Sequence, residues 1–153
     1  MIVAEADHLG GFSLYVDDGK LTHIYSMMGV FIYRQQAEEP LPEGEVTVSM
    51  QFAADAAKPA TGGEVTLLID DRPVGSGRMD FTVPIRFSGY AGMDIGRDNG
   101  GVVDLRYERR KPFPFTGTIK KVVFDVNQHP SAEDARDLHA TVHHGHTAHA
   151  LTA

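Results

Sequence analysis

The sequence contains neither cysteine nor tryptophan. Without cysteine there is no disulfide, no thiolate metal site and no cysteine nucleophile. That absence fits the cytoplasm. The opening residues, "MIVAEADHLGG", agree, because no basic n-region leads into an apolar stretch; removal of a leader would equally leave an exported protein. No apolar run approaches the roughly 20 residues that cross a bilayer, so no membrane association is expected. Positive charge is scarce, with 14 Lys and Arg against 21 Asp and Glu, for a formal net charge of −7. Phosphate backbones are bound by a basic excess, so nucleic acid is not an expected partner. The missing tryptophan removes the side chain on which sugar-binding platforms lean most.

What remains is β patterning. In "EVTVSMQF", Val46, Val48, Met50 and Phe52 alternate with polar residues, and "EVTLLID" repeats this with Val65, Leu67 and Ile69. "GFSLYVDDGKL" puts Phe12, Leu14 and Val16 on one face, then turns at Asp18-Gly19, a strong hairpin signal. Short strands follow around Gly29 in "LTHIYSM" and "VFIYRQQ". Near the end, "FTGTIKKVVFDV" places Val122, Phe124 and Val126 on one face, with a parity shift at 119–122 that predicts a bulge or bend. Gly and Pro punctuate the connections, as in "EEPLPEGE", "DDRPVGSG" and "RDNGG". Many short strands, each with one apolar face, predict an all-β fold: a two-sheet antiparallel β-sandwich over residues 1–128. Residues 129–153 form a His-rich tail, read as a short helix or a flexible segment. Ser131 and Asp134 resemble a capping box for a helix over 132–142, and Gly145 would break it.

Three stretches, "GGFSLYVDDGKLTHIYSMMG", "LPEGEVTVSMQFAADAAKPATGGEVTLLIDDRPVGSGRM" and "DIGRDNG" followed by "FPFTGTIKKVVFDV", resemble the C-terminal module of a family of bacterial arylsulfatases. The resemblance spans residues 2–126 without the tail. It implies a jelly-roll sandwich of the concanavalin and laminin-G kind, and a catalytic domain as partner. Sulfatases build formylglycine within a Cys/Ser-x-Pro-x-Arg motif, and this chain has neither the cysteine nor a Ser-x-Pro-x-Arg. No catalytic residue carries over, so the chain is expected not to be an enzyme. The expected role is a non-catalytic accessory or docking domain. The alternatives are a free-standing lectin-like module for a glycan or small ligand and, below that, a small enzyme of unrecognised type.

Candidate sites follow. "DIGRDNGGVVD" crowds Asp94, Arg97, Asp98, Asn99 and Asp104 among glycines. An EF-hand loop is excluded, because Gly96 stands at the second ligand position and Leu105 where the bidentate Glu belongs. A looser calcium site from Asp94, Asp98, Asn99 and Asp104 stays open. The plainer expectation is a turn between strands, with Arg97 and Asp98 as a hydrogen-bonding pair for a partner domain. Among the tyrosines, Tyr25 and Tyr107 are the expected ligand contacts, with Tyr15, Tyr33 and Tyr90 as further members of a stacking face for carbohydrate. His139 and His143 share one helix face, but Ala140 replaces the Glu of a metalloprotease motif, and the plain reading is a polar tail without a bound metal. Asp17, Asp18, Asp70 and Asp71 read as turn aspartates. In "YSMMGVFIY" the apolar residues are nearly contiguous, so alternation must turn some outward; Met27, Met28 and Phe31 are the expected interface of a homodimer.

Overall fold

The computed structural model describes residues 1–126 and 150–152. Its strands are β1 (Val3–Asp7), β2 (Gly10–Asp17), β3 (Lys20–Met27), β4 (Phe31–Gln36), β5 (Val48–Ala54), β6 (Gly63–Ile69), β7 (Arg72–Met79), β8 (Met93–Ile95), β9 (Val123–Phe124) and β10 (Ala150–Thr152). Among the described residues one 3₁₀ helix, Leu105–Arg110, lies between β8 and β9. The strands form two antiparallel sheets, ordered β4-β3-β2-β1-β8 and β7-β6-β5-β10-β9. The all-β two-sheet sandwich expected from the alternation is therefore the fold. Within it β1 to β4 and β5 to β7 are meanders of consecutive hairpins. The helix expected at 132–142 and the histidines 139–149 lie outside the described residues.

Two-residue loops make the β1–β2, β2–β3 and β6–β7 hairpins, whereas residues 28–30 join β3 to β4 and residues 55–62 join β5 to β6. Asp18 and Gly19 have φ of 49° and 76°, and Asp70 and Asp71 have 48° and 62°. These left-handed values match strand twist, and Asp and Gly tolerate them best. Asp18, Asp70 and Asp71 are turn residues, as the sequence implies, whereas Asp17 is the last residue of β2 and its carboxylate accepts the Arg110 guanidinium at 2.8 Å.

Between the sheets the alternating side chains form the main core, with Phe12, Leu14, Leu21 and Tyr25 meeting Val48, Met50, Phe52, Val65 and Leu67. At one side β4 closes against β7 across the layers. A Cβ on Gly75 would lie 2.7 Å from the Gln36 carbonyl oxygen, so only glycine permits that approach. The parity shift at 119–122 is present: Ile119 and Val122 pack on the core while Lys120 and Lys121 between them are exposed. Val126, expected on the same face as Phe124, is exposed.

Alternation does not describe β2 and β3, where nearly every residue is buried on both faces. The outer face of the first sheet carries its own cluster, in which Ala4, Tyr15 and Ile24 meet Val102, Val103, Tyr107 and Phe113. Residues 97–113 thus form a strap over that sheet.

Candidate functional site

The strap begins at the acidic, glycine-rich stretch. Asp94 lies on β8, opposite Ala4. Its carboxylate accepts the Asn99 backbone N–H at 2.6 Å and the Asn99 Nδ2 at 3.1 Å, closing a loop in which Gly96 adopts φ of 79°. Partial burial opposes ionisation of Asp94, but donors from Asn99 and Gly100 and the charge of Arg97 outweigh it, and its pKa is lowered. Four residues on, the chain dives inward. Asp98 is buried and accepts the Tyr107 hydroxyl at 2.7 Å. Desolvation raises its pKa, opposed by the Tyr107 hydrogen bond.

Asp104 is the centre of the second half. Its Oδ1 accepts the Arg106 N–H at 2.9 Å and caps the 3₁₀ helix. Its Oδ2 accepts the Tyr15 hydroxyl at 2.6 Å and the Arg34 guanidinium at 2.6 Å. Arg34 also donates to the Tyr15 oxygen at 2.6 Å and lies over the Tyr15 ring, 5.7 Å from its centroid. Tyr15, Tyr107 and Phe113 pack ring on ring, with Tyr107 and Phe113 stacked at 5.2 Å. Burial, together with the acidic hydrogen-bond partners, raises the pKa of both tyrosines. This is a structural polar network, buried except at Arg34, whose side chain is partly exposed.

Three expectations change here. The stretch is not a simple turn between strands but the start of a covering strap. Arg97 and Asp98 do not pair, because Arg97 is exposed and Asp98 is spent inside on Tyr107. The calcium set does not converge: Asp94 serves Asn99, Asp98 serves Tyr107, and Asp104 serves Tyr15, Arg34 and the 3₁₀ helix. Among the described residues no three His, Asp or Glu side chains are placed to hold a metal ion.

The tyrosines are also placed differently from a sugar-stacking face. Tyr15 and Tyr107 have no exposed surface and lie under the strap, whereas Tyr25 is buried between the sheets. The Tyr25 oxygen accepts the Val83 N–H at 2.8 Å, and desolvation pushes its pKa up to about 12. Only Tyr90 is largely exposed. Near Tyr25, His23 is fully buried on β3, its Nδ1 bonded to the Gln35 Oε1 at 2.8 Å. Its Nε2 has no partner, and the imidazole borders a void of about 30 Å³ with Phe12, Tyr25 and Met50.

The open surface lies at the far end of the β3–β4 hairpin. Met27 accepts the Val30 N–H at 3.2 Å through its carbonyl, and Met28 and Gly29 between them adopt φ of 56° and 67°. Of the expected interface residues, Met27 is buried in the main core, while Met28 is 68% exposed and Phe31 is 44% exposed. Val30 is 72% exposed and Ile32 about half, and the exposed Leu9 of the β1–β2 loop lies against Gly29. Phe31 rests edge-on against Phe81 at 4.6 Å between centroids. The result is a cluster of exposed apolar residues at one end of the first sheet, with Phe31 and Ile32 on opposite faces of β4.

No family model matches the chain, and comparison with curated proteins and with solved structures gives no match. Sequence reasoning missed Arg34 and His23. The one available signal for Arg34 was a lone cation inside the apolar run "VFIYRQQ".

Proposed function

We propose that this chain is a non-catalytic accessory domain that docks on and stabilises a catalytic partner, in the manner of the C-terminal module of bacterial arylsulfatases. One observation carries the reading: the apolar end built by Leu9, Met28, Val30, Phe31 and Ile32. A tight turn favours Asn, Asp or Gly at its left-handed central positions, yet in the three-residue β3–β4 loop Met28 occupies one at φ 56° and is largely exposed. Such a residue costs on the order of 1 kcal/mol of backbone strain, which is retained where a surface has a use. Clustered exposed apolar groups mark contact surfaces, and Met adapts to its partner. Without a catalytic chain the same face pairs two copies about a two-fold axis, the commonest closed arrangement.

Met28→Asn tests this without endangering the fold. It suits the loop better, so thermal stability rises by about 0.5–1 kcal/mol, while association falls. Light scattering is expected to give a dimer for the unaltered chain and about 16.7 kDa for Met28→Asn and Phe31→Glu. A monomer at micromolar concentration that also fails to bind an arylsulfatase catalytic domain would refute the docking face. The pure chain is further expected to release no nitrophenol from an aryl sulfate, since it has no formylglycine precursor to supply the attacking group. Turnover surviving a contaminant control would overturn the non-catalytic reading. The alternative of a free-standing glycan-binding module has lost the tyrosine face that motivated it, and a glycan array is its test.

A further inference from the structure

The void beside His23 is lined by phenylalanine, methionine and valine side chains except at three places, where His23, Tyr25 and Thr82 bring polar atoms to it. His23 and Tyr25 are two apart on β3, so both project to the same side, into the space between the sheets. Thr82 follows β7 and is anchored by the bond its hydroxyl donates to the Thr61 carbonyl at 3.0 Å.

The hydrogen-bonding capacities of these three groups are complementary. Gln35 Oε1 accepts the Nδ1 proton of His23 at 2.8 Å, and burial keeps the ring neutral near pH 7. Nε2 is then a bare lone pair, and it meets no donor among the described residues. The Tyr25 oxygen accepts the Val83 N–H, while its own proton reaches no acceptor among the described residues. Thr82 gives its proton to Thr61, and its oxygen keeps the capacity to accept. One donor and two acceptors thus border a single small space. His23 is 1% exposed, so Nε2 without a donor would carry its whole desolvation cost.

We propose that this void is the binding site of one water molecule, which donates to His23 Nε2 and to Thr82 Oγ1 and accepts the Tyr25 hydroxyl proton. The volume of about 30 Å³ exceeds the roughly 10–15 Å³ that one water requires and falls far below the roughly 150 Å³ of a cavity that takes benzene. Three hydrogen bonds are also about the usual number for a buried water. No charged side chain lines the space, so an ion would find no counter-charge there. The water ties β3 of the first sheet to the segment that follows β7 of the second, a polar link across an apolar interior. It lies inside the sandwich, so this inference stands independently of the docking reading.

The test is a crystal structure of the full chain at a resolution that shows ordered water, joined to a double-variant cycle in solution. One water is expected in the void, within about 2.6–3.2 Å of all three polar atoms. His23→Leu removes the acceptor at similar bulk, and Tyr25→Phe removes the donor. Because the water joins the two, the urea-midpoint shift of the double variant is expected to be smaller than the sum of the single shifts. A dry void or strictly additive shifts would overturn the proposal. Density that touches only one of the three polar atoms would overturn it as well. A direct hydrogen bond from Tyr25 to His23 Nε2 in the crystal would couple the pair without water, and would also overturn it.

Discussion

Asp104→Ala is expected to lower the stability of the fold by about 3–5 kcal/mol, read as a shift of the urea midpoint. The carboxylate is almost wholly buried and serves three donors: the Tyr15 hydroxyl, the Arg34 guanidinium and the N–H that opens the 3₁₀ helix. Truncation leaves the guanidinium facing the tyrosine oxygen with no counter-charge, and its side chain is only 18% exposed. Breaking a buried pair from one side costs far more than the pair contributes, because the remaining charge stays desolvated. The companion measurement is Arg34→Met with Asp104→Asn. It removes both charges and keeps an acceptor for Tyr15, so it is expected to lie well above Asp104→Ala. A double variant no more stable than Asp104→Ala would show that the cost comes from the helix cap, which both variants lose because Asn has a single acceptor oxygen, and not from the ion pair.

Stability is also expected to fall by roughly 3 kcal/mol as pH drops from about 6.5 to about 4 through the protonation of one residue. Burial lowers the pKa of His23 from 6.5 to about 4, opposed by its bond to Gln35. The folded protein therefore resists a proton that the unfolded chain accepts below 6.5. Stability is complete above that value and drains away as pH falls toward 4. No charged side chain borders the void beside the imidazole, and Tyr25 is its titratable neighbour there. Asp98 acts in the opposite sense, because its raised pKa lets the fold take up a proton more readily than the unfolded chain. His23→Gln isolates the effect: its denaturation midpoints should be flatter over this pH range. An unchanged slope in that variant would place the acid sensitivity elsewhere.

The legible part of the fold was the part written in period two. Val48, Met50 and Phe52 face the core as their spacing dictates, and Asp18-Gly19 turns where a hairpin needs a left-handed pair. The strap was not legible for a physical reason. Its burial rests on isolated residues, Asp98, Val102, Val103 and Tyr107, on irregular backbone held by side-chain hydrogen bonds. Nothing repeats along it, so "RDNGG" reads as a turn. The same omission misplaced the tyrosines: a strand face taken to meet solvent is a second interior once the strap covers it. Met28 and Phe31 were recoverable because adjacent apolar residues on one strand must point to both sides, whereas the burial of Met27 followed only from its register against Gly10.

The strap also sets an order in time. The meanders β2 to β4 and β5 to β7 are joined by neighbours in sequence, and such local contacts form early because their loop-closure cost is small. Tyr15 and Asp104, by contrast, are 89 residues apart, and Arg34 and Asp104 are 70 apart. By the same argument the strap is expected to settle after these hairpins and to lift before them. Its release would expose the Tyr15 ring while leaving the hairpins below it paired. The amide protons of β2 and β3 would then outlast those of residues 97–113 in exchange, and the molecule would open in two stages, with the covering layer as the weaker cooperative unit.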